Sequence, residues 1–307
     1  MAKNTKDLII GIDIGGTKVK LILLYGNKVI IEDKYLVKSF KTSREFLATL
    51  IAHIELLIKD YPKYRITGIG IGLPGVLDEK REKIIVPPNL SIIKNIDFIK
   101  TLKSRFNLPV RIENDTNAMA LAEMIWGHGK GRQSMVLLSL GTGVGGGIVY
   151  RHGNKVKLLT GHRGSAGEIG HMIINFNGVE GSRKKGELEQ YASIKFLRRR
   201  SSKHALVIQQ AAESGSKLAQ KIYAELGHYL GFGLANIVNI FDPEIIVLGG
   251  GVSEAYKFII KSAKLSMKSN ILSPRSYSVP VLKSKLGDKG GAMGAAALWL
   301  ENNANFK

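Results

Sequence analysis

The chain has 307 residues, of which 44% are hydrophobic and 23% charged, which is typical of a globular protein and excludes a disordered one. Because cysteine is absent, neither a disulfide framework nor a thiolate metal site can form. The net charge of +20 would suit a polyanionic partner, but the basic residues are scattered, and a lysine-rich solvated surface is the simpler interpretation. Without a long apolar run or an apolar secretion signal, we expect a cytoplasmic protein with no membrane partner.

The first half of the chain predicts an α/β arrangement that opens with three strands. Apolar residues at a spacing of three to four then predict a helix that is capped by Ser43 and ends before Pro62. The predicted strands are Leu8–Ile14, Lys18–Tyr25, Lys28–Val37, Ile66–Ile71 and Val110–Ile112. Further helices are predicted over Phe98–Phe106 and Thr116–Trp126.

The second half begins with another strand hairpin and continues through a loop-rich stretch, Gly161–Gly186. A largely helical region extends to about Ile240, and Glu244–Leu248 is predicted as a short buried strand. The last predicted helix, roughly Gly290–Glu301, is rich in small residues and suited to close packing.

Two stretches of the chain repeat one pattern. Leu8–Val29 and Met135–Val156 each consist of an apolar run, a tight Gly/Thr turn, a second apolar run and the tetrapeptide GNKV, which recurs 127 residues later. The repeat predicts a duplicated α/β fold with a cleft between two lobes. We expect a smaller lobe over residues 1–115 together with about 290–307, and a larger lobe over 116–289.

The first of the two turns carries phosphate-binding chemistry. Gly15 and Gly16 leave room for phosphate oxygens against bare backbone, Thr17 adds a hydroxyl donor and Lys18 a positive charge. Asp13, at the end of a strand, can hold Mg²⁺ directly or through water. The spacing is not that of a Walker P-loop, and the second turn, Gly141–Gly145, is a poor match to a dinucleotide fingerprint. Two such turns predict a clamp on the phosphates of a nucleotide, and hence phosphoryl transfer or nucleotide hydrolysis.

The chain resembles the ROK family of sugar kinases, within the superfamily of actin, Hsp70 and hexokinase. The resemblance covers essentially the whole length and implies duplicated ribonuclease H-like (actin-like ATPase) lobes. The motifs that carry it are DIGGTK at Asp13–Lys18, LPG at Leu73–Gly75, PN at Pro88–Asn89, ENDTNAMALAE at Glu113–Glu123, LGTGVGGGI at Leu140–Ile148, AGEIGHM at Ala166–Met172, LEQYAS at Leu188–Ser193, DPEIIVLGGGVS at Asp242–Ser253 and GAMGAAAL at Gly291–Leu298.

The resemblance implies a role for each matching residue. Asp115 would be the catalytic base, and a carboxylate at a strand-to-helix junction can accept a hydroxyl proton in this way, although Asp is also a common helix N-cap. The implied cofactors are ATP and Mg²⁺. The sugar ligands would be Asn89, Asn114, Glu168, His171 and Glu189. The second turn, Gly141, Thr142 and Gly143, would close on the β- and γ-phosphates, and Gly249, Gly250 and Gly251 would pass close to the adenosine.

One loop departs from the family pattern. Many ROK proteins bind zinc there through a histidine and three cysteines, whereas this chain has Gly181, Arg183 and Glu187 about where the cysteines would fall. Tetrahedral zinc requires four good ligands, so we predict that no structural zinc is bound. The departure leaves open how Glu189 is placed.

The resemblance and the turns together predict an ATP-dependent glucokinase that phosphorylates the 6-hydroxyl of glucose or a related sugar. N-acetylmannosamine, N-acetylglucosamine, mannose and fructose stay open as acceptors, and polyphosphate as donor. A sugar-responsive repressor is a further alternative; because the first strand begins near Leu8, we expect no helix-turn-helix ahead of it and no nucleic-acid partner. Resemblance to the family also favours a homodimer.

Overall fold

The computed structural model describes residues 7–86, 90–181 and 184–300. The strands are β1 Asp7–Ile14, β2 Lys18–Tyr25, β3 Lys28–Leu36, β4 Arg65–Leu73, β5 Val76–Leu77, β6 Ile84–Val86, β7 Val110–Asn114, β8 Ser134–Leu140, β9 Val144–His152, β10 Lys155–Leu158, β11 Ile246–Gly249 and β12 Val281–Lys283. The α-helices are α1 Ser43–Asp60, α2 Phe98–Phe106, α3 Asp115–Trp126, α4 Ile194–Ser201, α5 Ala205–Glu213, α6 Lys217–Phe241, α7 Tyr256–Asn270 and α8 Gly290–Ala297. None of these helices is both long and apolar enough to span a lipid bilayer.

The first five-stranded sheet has the order β3-β2-β1-β4-β7. Strands β1, β2 and β3 form an antiparallel meander, whereas β1, β4 and β7 run parallel. In the register of the parallel strands, Asp13 lies opposite Gly72, which in turn lies opposite Glu113. The carboxyl ends of the three parallel strands therefore meet at one edge of the sheet, the usual position of a ligand site in α/β sheets.

The second five-stranded sheet repeats this plan in the order β10-β9-β8-β11-β12. Strand β8 runs parallel to β11, which runs parallel to β12, and β9 and β10 form an antiparallel hairpin. Each strand of the second sheet thus has a counterpart in the first, beginning with β8 for β1. The duplication that the repeated hairpin sequence predicts is confirmed.

The chain divides into two compact units. Unit 1 comprises Met1–Trp126, Val149–Ala166 and Asp288–Lys307, and unit 2 comprises Gly127–Ile148 and Gly167–Gly287. These ranges differ from the expected lobes at two places: helix α3 groups with unit 1, and so does the segment after Ile148 that contains β10.

Helix α1 packs one apolar face on the core of unit 1, through Phe46, Leu50, Ile54 and Leu57. Its N-terminus differs by one position from the predicted one. The hydroxyl of Thr42, rather than Ser43, accepts a hydrogen bond from the Glu45 N–H at 3.1 Å. Threonine and serine are both good caps, so local sequence alone does not distinguish them.

Helix α8 approaches its neighbours in unit 1 more closely than any side chain would allow. A Cβ at Gly294 would overlap the carbonyl group of Ala118 in α3 and lie 2.8 Å from the Met119 nitrogen. A Cβ at Gly70 in β4 would lie 2.6 Å from the carbonyl carbon of Ala295. Backbone is thus packed directly on backbone, as the small-residue composition of this helix predicts. The helix ends at Ala297, earlier than expected.

Candidate functional site

Two carboxylates lie at the carboxyl edge of the first sheet. Asp13 is the penultimate residue of strand β1, and Asp115 begins helix α3. Gly72 lies between them: a Cβ at Gly72 would be 3.5 Å from the Asp115 Cα and 3.8 Å from Asp13 Oδ1. A Cβ at Gly291, in the first turn of α8, would lie 2.6 Å from the Asp13 carboxyl carbon. Backbone therefore encloses the Asp13 carboxyl on two sides, with Asp115 as its acidic neighbour.

The proximity of these groups changes the protonation of Asp13. Burial, and next the negative charge of Asp115, raise the pKa of Asp13 from 3.8 to about 7, and the nearby Lys20 ammonium offsets part of this effect. Two carboxylates that repel each other in this way form a site that a cation would stabilise. Mg²⁺ is usually held by one or two carboxylates together with substrate phosphates, so Asp13 fits the predicted magnesium ligand.

We expect the stability of the protein to depend on the protonation of Asp13. Because its pKa is higher in the folded than in the unfolded chain, its contribution to the free energy of unfolding is complete below about pH 4 and is lost as the pH rises through about 7. Asp13→Asn removes this dependence. In thermal melts with EDTA, the Tm of the variant relative to wild type should rise between about pH 4.5 and 7 and then level off. A difference in Tm that stays constant over this range would contradict the assignment.

Asn114, the last residue of β7, caps helix α3. Its side-chain oxygen accepts hydrogen bonds from the N–H groups of Thr116 at 2.9 Å and Asn117 at 3.1 Å, and its amide donates to the Gly75 carbonyl at 3.0 Å. The N-cap of α3 is therefore Asn114. The alternative expectation, that Asp115 serves only as the N-cap of this helix, is wrong. Asp115 is the first residue of the helix, and its Oδ1 accepts from the Thr116 N–H at 2.7 Å. Both side chains are thus fixed by the start of α3.

A buried ion pair that local sequence does not reveal supports this helix start. The Glu113 side chain is 4% exposed, and its Oε2 lies 3.1 Å from Arg81 Nε. Its Oε1 accepts from the Asn114 N–H at 2.8 Å and from the side-chain amide of Asn117 at 3.0 Å. Arg81 comes from the segment between β5 and β6, so only the fold brings the two charges together.

The first glycine-rich turn is a tight hairpin between β1 and β2. The Gly15 N–H donates to the Lys18 carbonyl at 3.0 Å, which closes the turn. Gly16 and Thr17 are exposed at the tip. The Lys18 ammonium lies 2.8 Å from an oxygen of Asp288, and the buried Lys20 ammonium lies 2.5 Å from the other. Asp288, which the sequence pattern does not single out, is thus the partner of both lysines.

In unit 2 the second glycine-rich turn lies beside Glu189. The Gly141 N–H donates to the Gly143 carbonyl at 2.9 Å, and a Cβ at Gly143 would lie 3.5 Å from the Glu189 carboxyl carbon. The Glu189 carboxylate is paired with Lys195 at 2.5 Å. One expected sugar ligand and the expected phosphate turn are therefore neighbours in this unit, and Lys195 is an additional charge that the motifs do not include.

The glycines after β11 approach the same end of the second sheet. Gly250 has a φ of +79°, and a Cβ there would lie 2.7 Å from the Leu140 carbonyl carbon, at the end of β8. Only glycine suits both conditions. A Cβ at Gly251, in contrast, would have nothing within 4 Å. Gly250 therefore has a structural role, and Gly251 has open space beside its backbone.

Glu168 and His171 lie together in unit 2: Glu168 precedes the short 3₁₀ turn Ile169–His171, and His171 is its last residue. The His171 Nε2 lies 3.9 Å from Glu168 Oε2, and its Nδ1 lies 2.9 Å from Glu187 Oε1. Asn89, the remaining expected sugar ligand, lies outside the described residues.

The residues of the loop that contains zinc in many ROK proteins do not fit a zinc ion. Gly181 offers no side-chain ligand, Arg183 lies outside the described residues, and Glu187 is hydrogen-bonded to His171. Among residues 7–86, 90–181 and 184–300, no three His, Cys, Asp or Glu side chains are grouped to hold a metal ion.

We therefore expect elemental analysis of the purified protein to give far less than one zinc per chain. Prolonged chelation with EDTA should leave the Tm unchanged, because four good ligands are needed for a structural site. Stoichiometric zinc that resists dialysis would refute the prediction. Protein refolded in zinc-free buffer is the control, and its Tm should equal that of the purified protein.

The duplicated sheets, each with a turn or carboxylate at the ends of its parallel strands, define the actin-like ATPase fold. The ROK family model matches residues 9–302, and the chain belongs to this family.

Its relatives include both enzymes and regulators. The chain is 31% identical over 320 residues to a glucokinase of Streptomyces coelicolor, covering 95% of this chain and 97% of that one. It is 30% identical over 305 residues to the xylose repressor of Bacillus subtilis, covering 95% of this chain and 77% of the repressor. A ROK family glucokinase from Streptomyces griseus, crystallised with glucose and AMPPNP, is 28% identical with a TM-score of 0.81, over 95% of this chain and 98% of that one.

Proposed function

We propose that the protein is an ATP-dependent sugar kinase that transfers the γ-phosphoryl group to the 6-hydroxyl of glucose or a closely related hexose. Membership of the ROK family supports this proposal, as does similarity to the glucokinase from Streptomyces griseus that was crystallised with glucose and a nucleotide analogue. The observation that carries it is the Asp13 and Asp115 pair at the carboxyl edge of the first sheet.

Asp115 has the position and chemistry of a general base. The hydroxyl oxygen of the sugar attacks the γ-phosphorus, the new P–O bond forms, and the bond from that phosphorus to the β–γ bridging oxygen breaks, releasing ADP. The hydroxyl proton passes to the Asp115 carboxylate. The Thr116 N–H, which donates to Asp115 Oδ1, stabilises the ionised form and fixes the orientation of the group.

The nucleotide phosphates are assigned to the glycine-rich turns. In unit 1, the turn Gly15, Gly16, Thr17 and Lys18 is proposed to contact phosphate oxygens. Lys18 would exchange its present partner Asp288 for a phosphate. Asp13 would hold Mg²⁺, which when bound with the nucleotide neutralises phosphate charge. In unit 2, Gly141, Thr142 and Gly143 are proposed for the β- and γ-phosphates, and Gly249, Gly250 and Gly251 for the adenosine.

Four described side chains are proposed as sugar ligands: Asn114, Glu168, His171 and Glu189. Sugar hydroxyls both donate and accept hydrogen bonds, and this mixture of carboxylates, an amide and an imidazole can satisfy both roles. The capping role of Asn114 uses its oxygen twice and one amide hydrogen, which leaves its second amide hydrogen for a sugar oxygen. We also propose that the protein acts as a homodimer, which light scattering on the purified protein would test.

An assay of ADP release tests the proposed activity. Glucose, mannose, fructose, N-acetylglucosamine and N-acetylmannosamine are compared as acceptors at saturating ATP and Mg²⁺, and polyphosphate then replaces ATP with the best acceptor. We expect sugar-dependent ADP release that is highest with glucose, and weaker transfer from polyphosphate. If no acceptor raises ADP release above the sugar-free rate, the kinase proposal is contradicted. If the rate is higher with polyphosphate than with ATP, polyphosphate and not ATP is the phosphoryl donor.

A sugar-responsive repressor is the second candidate function, favoured by the similarity to the xylose repressor of Bacillus subtilis. The net charge of +20 would support nonspecific attraction to DNA. A gel shift on random duplex over a range of salt concentrations distinguishes the two candidates. We expect any binding to disappear as salt rises and to be unaffected by sugars. Sugar-sensitive binding that persists at physiological salt would favour the repressor.

A further inference from the structure

A buried carboxylate that the proposed reaction does not use lies behind His171. The Glu187 side chain is 2% exposed, and its Oε1 lies 2.9 Å from the Nδ1 of His171, whose own side chain is 39% exposed. The other ring nitrogen, Nε2, lies on the side of the more exposed Glu168, at 3.9 Å. One edge of the imidazole is therefore held by the interior of unit 2, and the other edge is presented outward.

The surrounding loop holds Glu187 in this position. Ile173 and Glu187 form an antiparallel bridge, and the Leu188 N–H donates to the Met172 carbonyl at 2.8 Å. On the far side, a Cβ at Gly181 would lie 2.8 Å from the Glu187 carboxyl carbon, so any larger residue there would displace the carboxylate. The two arms of the loop are thus joined across the His171–Glu187 hydrogen bond.

We infer that Glu187 is ionised; an ionised carboxylate only accepts hydrogen bonds, which assigns the proton of this hydrogen bond to Nδ1 of His171. In the neutral ring this leaves Nε2 as a hydrogen-bond acceptor. The hydrogen bond from Nδ1 to Glu187 fixes the orientation of the ring, as a bond from a ring nitrogen to a metal ion would. We propose that Glu187 is a positioning residue: it fixes the tautomer and the orientation of His171 and so directs Nε2 as an acceptor toward a sugar hydroxyl, without a metal ion in the loop. The sugar part of this inference rests on the proposed kinase function.

Glu187→Gln tests the inference with little change in shape. Loss of an oriented partner of this kind costs about 10–100-fold in affinity or activity in metal sites, and we expect an increase of about tenfold in the KM for the sugar with the KM for ATP unchanged. If Glu187 acts only through His171, the same substitution should have no further effect in a His171→Gln background. Glu180→Gln is the matched control, because this exposed carboxylate lies on the same loop and is 3.7 Å from Lys185.

A measurement on the unaltered protein keeps the inference testable if the variant does not fold or no acceptor sugar is found. Long-range ¹H–¹⁵N NMR spectra, with His171→Gln to assign the signal, report which ring nitrogen carries the proton. The inference predicts protonated Nδ1 and unprotonated Nε2 at a pH where the ring is neutral. The opposite tautomer, or an equal rise in both KM values for Glu187→Gln, would overturn it; failure of every sugar in the ADP assay would instead overturn the proposed function alone.

Discussion

Replacing Asp115 by asparagine should lower the rate of phosphoryl transfer by about 10²–10⁴-fold, the usual contribution of a general base. The amide has nearly the same shape but cannot accept the hydroxyl proton. Removing the negative charge also removes one of the two main causes of the raised pKa of Asp13, so the variant should be at least as stable as wild type near pH 7. Single-turnover ADP release, sugar binding by calorimetry and the Tm together check the prediction.

Asp60→Asn is the control for this experiment. Asp60 is an exposed carboxylate at the end of α1, in the same unit but away from the sheet edge, and its substitution should change neither rate nor Tm. A rate close to that of wild type in Asp115→Asn would contradict the assignment of Asp115 as the general base. A lost rate that accompanies a fall in Tm of many degrees would instead indicate a folding defect and would also count against the assignment.

Gly294→Ala should destabilise the protein although it introduces a better helix former. In an exposed helix this change would stabilise by about 0.5–1 kcal/mol. Here the added methyl group would overlap the carbonyl group of Ala118, and overpacking of this kind costs about 1–3 kcal/mol or more. The steric cost exceeds the gain in propensity, so we expect a fall in Tm of several degrees, since each kcal/mol shifts Tm by about 2–4 °C in a chain of this size class.

The matched stability control is Gly16→Ala, because a Cβ at Gly16 would have nothing within 4 Å. Its Tm should stay within about one degree of wild type. Because Gly291 at the start of α8 packs against the Asp13 carboxyl, the Gly294 variant should also bind nucleotide more weakly than wild type. A Tm for Gly294→Ala equal to or above that of wild type would show that α3 and α8 are not packed backbone to backbone.

The fold is predictable from sequence wherever a local pattern encodes it. Strand β2 and helix α2 have the predicted bounds, because each is an apolar or amphipathic run delimited by turn or capping residues. The repeated GNKV turn anticipates that β8 to β10 copy β1 to β3. The small residues of α8 predict its close packing, although not its end at Ala297, where no proline or capping glycine marks a boundary.

The elements that sequence reasoning missed are short or depend on distant partners. Strands β5, β6 and β12, which the sequence patterns did not predict, have only two or three residues each and show no periodicity. Lys20 and Asp288 are 268 residues apart, and Arg81 and Glu113 meet only after β4 and β7 pair. No window of the sequence contains both members of such a pair.

The candidate site shows the same division. Its motif residues are identifiable because glycine and carboxylate patterns carry their own chemistry, and in unit 1 the structure brings Asp13 and Asp115 together. The orienting roles were not identifiable: Asn114, expected as a sugar ligand, also caps α3, Glu187 holds His171, and Lys195 pairs with Glu189. Each of these roles depends on a neighbouring group that only folding brings into contact.

The most direct test of the account is a crystal structure with glucose and a non-hydrolysable ATP analogue. The account predicts an Asp115 carboxylate oxygen at about 2.6–3.2 Å from the sugar oxygen that faces the γ-phosphorus. If that carboxylate lies well outside hydrogen-bonding distance of the reacting oxygen, with another group in its place, the proposed catalysis by Asp115 is contradicted.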